Sequence, residues 1–169
     1  MAQAFSTFLT AAADGTSYEA NTDGSSVPVL HDLAGHATHH TYIQELTIYI
    51  EDTVVVDVDL YGAVAILTNG VEVETVSDGV TTDLLDGLDI KNLGDWIRRA
   101  GDYTMSPTGG TNDGVTITWK FRYPLILAPG TANVLRVTIN DLMTGLTSHT
   151  FHAQGFTSSR MPIRDDFRG

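Results

Sequence analysis

The chain has 169 residues, a formal net charge of −12 and no cysteine, and 42% of its residues are hydrophobic. This length predicts one domain with a sizeable core. The lack of cysteine excludes disulfides and thiolate metal sites, and the acidic balance argues against direct nucleic-acid binding, which needs a basic surface. No apolar stretch reaches the roughly 18 residues of a membrane-spanning helix, and the N-terminus does not resemble a secretory signal.

Residues 1–26 are predicted to form an N-terminal arm. Small, polar and turn-forming residues dominate this segment after its first ten positions, a composition that favours ordering by a neighbour over packing in its own core. Phe5 and Phe8 are the predicted apolar anchors of the arm, and we expect them at an interface.

Residues 27–156 are predicted to form a single β-domain. Apolar and polar side chains alternate along much of this range with the period of a strand. The predicted strands cover 27–30, 42–51, 53–61, 63–67, 71–76, 115–123, 135–139 and 150–156, with a loop at 31–40. Pro124 is predicted to end or bend the strand 115–123, which continues briefly at 125–127. About eight short strands without a βαβ rhythm predict an all-β fold, an antiparallel two-sheet sandwich of jelly-roll type.

A short helical insert is predicted at residues 92–101. Asn92 can cap the N-terminus of the helix, and Arg98 and Arg99 lie in the last turn, where cations interact favourably with the helix dipole. Gly101 follows at the position that favours a left-handed backbone conformation.

Residues 157–169 are predicted to form a C-terminal arm. Its arginines, Arg160, Arg164 and Arg168, are predicted interface residues because arginine is enriched at protein interfaces. Residues 1–90 contain 15 of the 21 acidic residues and no Lys or Arg, while 91–169 contain all nine basic residues. This asymmetry has two interpretations: an ordinary solvated acidic surface, or an acidic face of one copy that meets an Arg-bearing face of the next.

Four histidines in one short stretch are the candidate metal ligands: His31, His36, His39 and His40. Imidazole is a proper ligand for zinc and similar metals, but the zincin spacing is absent. We therefore expect these rings to be solvated or bonded to the backbone, and we predict no metal and no cofactor. The same histidines titrate in the range where an interface can respond to pH.

The remaining candidate sites do not predict catalysis. The chain has no nucleophile elbow and no phosphate-binding loop. The carboxylate pairs Asp57/Asp59 and Glu72/Glu74 are interpreted as solvent-facing strand positions. The aromatic residues Trp119, Phe121 and Tyr123 are predicted to lie in the core. We therefore predict that the protein is not an enzyme.

The sequence Trp119–Gly130, followed by Val134–Ile139, resembles the late strands of viral jelly-roll capsid proteins. This resemblance covers about a quarter of the chain. The small size and flanking arms are similar to the single jelly-roll capsid proteins of tailless icosahedral viruses with an internal membrane, which infect bacteria or archaea. The resemblance implies a structural coat subunit of the virion that self-assembles into an icosahedral shell. Its implied partners are copies of itself and a second capsid protein, with indirect contact to a viral membrane.

Two other functions remain open from the sequence. The chain can instead be a carbohydrate- or receptor-binding β-sandwich module of the spike or adhesin type, which needs exposed aromatic side chains. It can also be a metal-dependent enzyme of the cupin type that uses the loop 31–40. The two-histidine-plus-glutamate motif of cupins is absent, which argues against the last hypothesis.

Overall fold

The computed structural model describes residues 6–10, 28–52, 54–62, 65–106, 113–141 and 146–159. They form nine β-strands and one α-helix. The elements are β1 (Ser6–Thr10), β2 (Val29–Ala34), β3 (His40–Asp52), β4 (Val71–Ser77), β5 (Val80–Asp83), α1 (Leu93–Ala100), β6 (Tyr103–Ser106), β7 (Asp113–Leu127), β8 (Val134–Ile139) and β9 (Leu146–Ser158).

The strands form two antiparallel sheets. One sheet has the order β1-β9-β3-β7-β6 and the other has the order β2-β8-β4-β5. If β6 is set aside, the first of the remaining eight strands pairs with the last, the second with the second to last, and so inward to the β4–β5 hairpin. This nested pairing is the strand order of a jelly roll. The predicted all-β, two-sheet jelly-roll fold with about eight strands and a short helix is therefore confirmed.

The core lies between the two sheets and follows from the alternation seen in the sequence. In β3, Leu46, Ile48 and Ile50 are fully buried, while Thr47 and Tyr49 on the opposite face are only half-buried. Burial of one such side chain stabilises the fold by about 2 kcal/mol. Truncation of Ile48 to alanine would cost about 2–5 kcal/mol, because the cavity adds to the lost burial.

The helix α1 forms as predicted, and both of its caps are present. The side chain of Asn92 accepts a hydrogen bond from the Asp95 N–H at 2.8 Å. Gly101 adopts the left-handed conformation with φ of 72°. Trp96 is fully buried, so the helix is anchored to the core through this ring.

The strand predicted at 53–61 does not form, although its residues alternate. The Asp57 side chain accepts a hydrogen bond from the Asp59 N–H at 2.9 Å, and the Asp57 backbone bonds to Leu60 and Gly62. This local turn competes successfully with strand formation. Val54 and Val55, which the strand would have packed in a sheet, are 55% and 75% exposed. Residues 65–67 are not a strand either, and 63–64 lie outside the described residues.

The loop predicted at 31–40 is shorter than expected. Residues 31–34 belong to β2, which pairs with β8 along the edge of the four-stranded sheet, and only 35–39 form a turn. This difference decides the position of His31, which faces the core because alternate residues of a strand point to opposite faces.

Strand β7 continues through Pro124 by means of an irregularity in the sheet. Glu45 pairs with Lys120, whereas Ile43 pairs with Leu125, so four residues of β7 stand opposite one residue of β3. Such a bulge accommodates a proline, which lacks the donor for a regular ladder. Beyond Trp119, the strand diverges from the predicted core pattern, and Tyr123 is 62% exposed. The prediction that Tyr123 lies in the core is therefore wrong.

Within the described residues, no helix has the length and apolar character needed to cross a membrane.

Candidate functional site

The structure separates the four candidate metal ligands. His31 lies in β2 and is 2% exposed, whereas His36 and His39 lie in the turn between β2 and β3. His40 is half-buried at the start of β3. In the described part of the chain, no group of three or more His, Asp or Glu side chains is placed to hold a metal ion. The cluster in the sequence is therefore not a cluster in space.

Two of these histidines, His36 and His39, do meet. Their Nδ1 atoms are 3.1 Å apart, and the rings are in edge-to-face contact. The Thr38 N–H donates to Nδ1 of His36 at 3.2 Å, which makes that nitrogen an acceptor. His39 can then donate its Nδ1–H to the same atom. The pair is thus held by hydrogen bonds within the turn.

A second pair of histidines lies in the core. Of these two, only His31 was a candidate site residue in the sequence. His31 of β2 and His149 of β9 come from opposite sheets, and both rings contact Phe151. Burial lowers the pKa of His31 to about 4. Burial, together with the positive charge that His31 acquires on protonation, lowers the pKa of His149 to about 3. Both rings are therefore neutral near pH 7.

A buried hydrogen-bond chain connects His149 to the helix. Nε1–H of Trp96 donates to the Tyr61 hydroxyl at 3.1 Å, and this hydroxyl lies 2.9 Å from Nε2 of His149. In the tautomer in which Nε2 of His149 accepts the hydroxyl proton, His149 carries its own proton on Nδ1. That Nδ1 is buried without a hydrogen-bond partner among the described residues. Burial raises the pKa of Tyr61 far above its usual range.

The sequence did contain a signal for the position of His149. Phe151 and Ala153 follow it at intervals of two, and both are fully buried on the core side of β9. His149 and His152, three residues apart, point to opposite faces as expected from strand geometry. Because His149 lies on the same face of β9 as these apolar residues, it is the buried one of the two histidines.

Both carboxylate pairs lie on outer surfaces, and Glu72 lines an open recess that Glu74 does not line. Asp57 and Asp59 are exposed in the turn that replaces the predicted strand. Glu72 and Glu74 are half-buried in β4, where Glu72 accepts a hydrogen bond from the Asn140 amide at 3.1 Å. This arrangement does not bring two carboxylates to opposite sides of a scissile bond, as glycoside hydrolysis requires.

The outer face of the four-stranded sheet is acidic and has a single ordered row of charges. Register places Asp32, Arg136, Glu74 and Asp83 next to one another across the four strands. Arg136 donates two hydrogen bonds to Asp32, at 2.7 and 2.9 Å. These hydrogen bonds from Arg136 to Asp32 raise the pKa of the guanidinium further. Three acids and one arginine leave this row with net negative charge.

The two ends of the sandwich are each closed by one polar side chain. At one end, Asn133 accepts the Asp78 N–H at 2.8 Å and donates to the carbonyls of Ala128 and Pro129. At the other end, the Asp141 carboxylate accepts three backbone N–H groups from residues 68–70, at 2.6–3.1 Å. The side chains of Asn133 and Asp141 each connect turns that are distant in the sequence. The loops at each end of the sandwich therefore have a defined arrangement.

Large apolar side chains are exposed mainly at the end closed by Asp141 and at strand edges. The loops 54–70 and 84–92 meet there, since the Leu67 N–H donates to the Lys91 carbonyl at 2.9 Å. The exposed residues of this end are Val54, Val55, Val58, Ile66 and Leu88. On strands, they are Leu30, Val80, Tyr103, Met105, Tyr123 and Ile126. Consecutive exposed valines are unusual on a free surface and favour contact with a partner.

The predicted arm residues are only partly described. Phe8 belongs to β1, where register pairs it with Gln154 of β9, and its side chain is not described. Phe5, Arg160, Arg164 and Arg168 lie outside the described residues. Their assignment to an interface stays a prediction.

Comparisons with known proteins found no match: no protein-family model, no curated protein and no solved structure is similar to this chain.

Proposed function

We propose that the protein is a structural coat subunit that self-assembles into the shell of a virus particle. The observation that carries this proposal is the set of apolar side chains left exposed on a jelly roll whose core is already filled. Val55, Leu88 and Tyr123 are 75%, 68% and 62% exposed. Such surfaces are costly in water and are stabilised by contact with another protein surface.

The jelly-roll fold supplies a suitable scaffold for a coat subunit. It does not indicate this function by itself, because jelly rolls have many functions. Its sheets end in open edges, which offer backbone groups to neighbouring chains. The acidic face around Glu74 and the arginines of the predicted C-terminal arm have opposite charge. Complementary charges of this kind set the register between copies more than they set affinity.

The proposal is tested by the mass of the full-length protein in solution as concentration and salt are varied, together with electron microscopy of the largest species. We expect monomers or small oligomers at low concentration and closed particles of uniform size at high concentration. A chain that stays monomeric up to millimolar concentration, over the whole salt range, would contradict the proposal.

A truncated chain that ends at Ser159 sharpens this test. The truncation keeps β9 complete, because this strand ends at Ser158, so thermal stability should stay within a few degrees of the full chain. We expect it to assemble at a concentration at least ten times higher, since it lacks Arg160, Arg164 and Arg168. Assembly at the same concentration as the full chain would remove the C-terminal arm from the proposal. The triple substitution of these arginines by lysine is the matched control for charge.

A second candidate function, carbohydrate binding, is favoured by one surface feature. An open recess of about 500 Å³ at the end closed by Asp141 is lined by polar groups of Asn69, Glu72, Asp89, Lys91 and Asn140. This mixture of donors and acceptors suits a polyhydroxylated ligand. A glycan array with and without chelator tests it, with Glu72→Gln as the variant that should weaken a true sugar signal.

A further inference from the structure

Strand β6 is an unprotected edge of the five-stranded sheet, as is β1 (Ser-Thr-Phe-Leu-Thr) at the other edge. Strand β6 pairs with β7 only, and no other described strand lies on its free side. Proteins protect such edges with charges, proline or bulges. The sequence of β6, Tyr-Thr-Met-Ser, has none of these, whereas β2 and β5 at the edges of the other sheet carry Asp32 and Asp83.

The register shows which backbone groups of β6 face outward. The Thr118 N–H donates to the Asp102 carbonyl at 3.0 Å, which makes this a hydrogen-bonded pair of the antiparallel ladder. Hydrogen-bonded and non-hydrogen-bonded pairs alternate. Thr104, opposite Thr116, therefore bonds to β7. The N–H and C=O groups of Tyr103 and Met105 point away from β7, towards the free edge.

The side chains of the same two residues are exposed although they lie on the core side of the sheet. Tyr103 stands opposite Ile117 and Met105 opposite Val115, and both partners are fully buried. Tyr103 and Met105 are nevertheless 47% and 39% exposed. Two apolar side chains and four outward backbone groups thus occur together on one short edge.

We propose that β6 pairs antiparallel with β6 of a second copy, with Thr104 at the two-fold axis. In this register Tyr103 stands opposite Met105 of the second copy, and the two outward residues of each copy form four backbone hydrogen bonds. Each tyrosine ring then meets a methionine sulfur, which is a favourable contact. The two five-stranded sheets join into one sheet of ten strands. This inference rests on the proposed function, since it specifies one contact between coat subunits.

A second copy is the partner that this edge fits best, because the strand is complementary to itself under two-fold rotation. The nearest charges are balanced within each copy, since Lys120 lies 3.6 Å from Asp102. Four residues from each copy bury far less than the roughly 1,200 Å² of a stable interface. The contact is weak alone and holds where other contacts between the same subunits act with it.

The inference is tested by cysteine cross-linking, for which a chain without cysteine is well suited. In the proposed pairing, Thr104 stands opposite Thr104 of the second copy in a non-hydrogen-bonded pair, with Cα atoms about 4.5 Å apart. This separation lies within the range of about 4.4–6.8 Å that a disulfide spans. Full-length Thr104→Cys should form covalent dimers under mild oxidation at least ten times faster than Thr81→Cys. Thr81 is an exposed threonine on β5, the edge of the other sheet, and controls for random collision.

Equal cross-linking rates for Thr104→Cys and Thr81→Cys would overturn the pairing. A second pair of variants uses charge: Met105→Lys should reduce the rate of Thr104→Cys cross-linking at least fivefold, whereas Thr82→Lys, at an exposed threonine of β5, should leave it unchanged. An equal effect of both lysines would also overturn the pairing. Circular dichroism and thermal melting establish that each variant is folded.

Electron microscopy separates the inference from the proposed function. Cross-linked dimers without particles support the β6 contact and overturn the coat function. Particles in which Thr104→Cys is not cross-linked support the coat function and overturn the β6 contact.

Discussion

The two pairs of histidines lie in regions with opposite properties. His36 and His39 are held in a turn at the surface, where water reaches their rings. His31 and His149 are enclosed between the sheets, and burial lowers the pKa of both. His31 is only five residues from His36, yet the two differ in every physical respect that matters for their protons. Strand geometry, and not proximity in the sequence, decides which histidine is a solvated side chain and which is part of the core.

Acid should produce the largest difference between the two pairs. The unfolded pKa of histidine is about 6.5, and in the folded chain the pKa falls to about 4 for His31 and about 3 for His149. Between the unfolded pKa and these lower folded pKa values, the unfolded state binds more protons than the folded state. The stability that the two neutral rings contribute is therefore complete above pH 6.5 and is lost as the pH falls below it. We expect a loss on the order of 3–5 kcal/mol between pH 6.5 and 4.5. Urea unfolding at a series of pH values measures it.

Two variants assign this loss to the core pair. His31→Leu should remove roughly half of the acid sensitivity. His149→Leu, at the other buried ring, should remove most of the remainder. An identical acid transition for His31→Leu and the unmodified chain would show that the core histidines are not responsible.

The next largest effect concerns the hydroxyl that connects the core pair to the helix. Tyr61→Phe deprives Nε1 of Trp96 and Nε2 of His149 of their buried partner. We expect a loss of about 2–3 kcal/mol in the free energy of unfolding, because buried polar groups without partners are costly. Tyr49→Phe is the matched control. Its hydroxyl bonds to Glu51 on the outer face at 3.0 Å, and its loss should cost under about 1 kcal/mol. Equal losses for the two variants would contradict the special position of Tyr61.

The smallest effect belongs to the surface pair. His36→Ala/His39→Ala removes hydrogen bonds that water replaces, so the free energy of unfolding should change by less than about 0.5 kcal/mol. Chelator should also leave the melting temperature of the unmodified chain unchanged, since the described residues present two ring nitrogens at this turn and no third ligand. A chelator-sensitive melting temperature that disappears in the double variant would reverse this prediction and identify a metal site.

Local signals explain which elements the sequence predicts. The helix is correct to within a residue because its capping residues, Asn92 and Gly101, are encoded at its ends. The strands that alternate over six or more residues and bury one face are also predicted correctly, because the alternation itself is a local signal. The segment 53–61 alternates equally well, but the turn formed by the Asp57 side chain outweighs the pattern. Alternation indicates which side chains a strand would bury. It does not predict a strand correctly where side-chain hydrogen bonds favour a local turn instead.

The candidate site is less predictable because it depends on contacts between distant strands. Tyr61 and His149 are 88 residues apart in the sequence, and nothing in either segment indicates their hydrogen bond. The position of His31 differs from the prediction because β2 spans Val29–Ala34, whereas the predicted strand ended at residue 30. Tyr103 and Met105 belong to β6, a strand that the sequence did not predict, so their exposed position at a sheet edge was not predicted either.

The nested strand order also governs how the chain can fold during synthesis. Strand β1 pairs with β9, and β3 pairs with both β7 and β9. A ribosome therefore releases most of the chain before either sheet can be completed, and the β4–β5 hairpin is the one pairing between strands adjacent in sequence in the four-stranded sheet. Pairing of distant segments is slow, so the newly made chain keeps apolar strands such as β3 uncovered for longer than a helical protein of the same length. The late arrival of β9 sets the interval in which aggregation competes with folding.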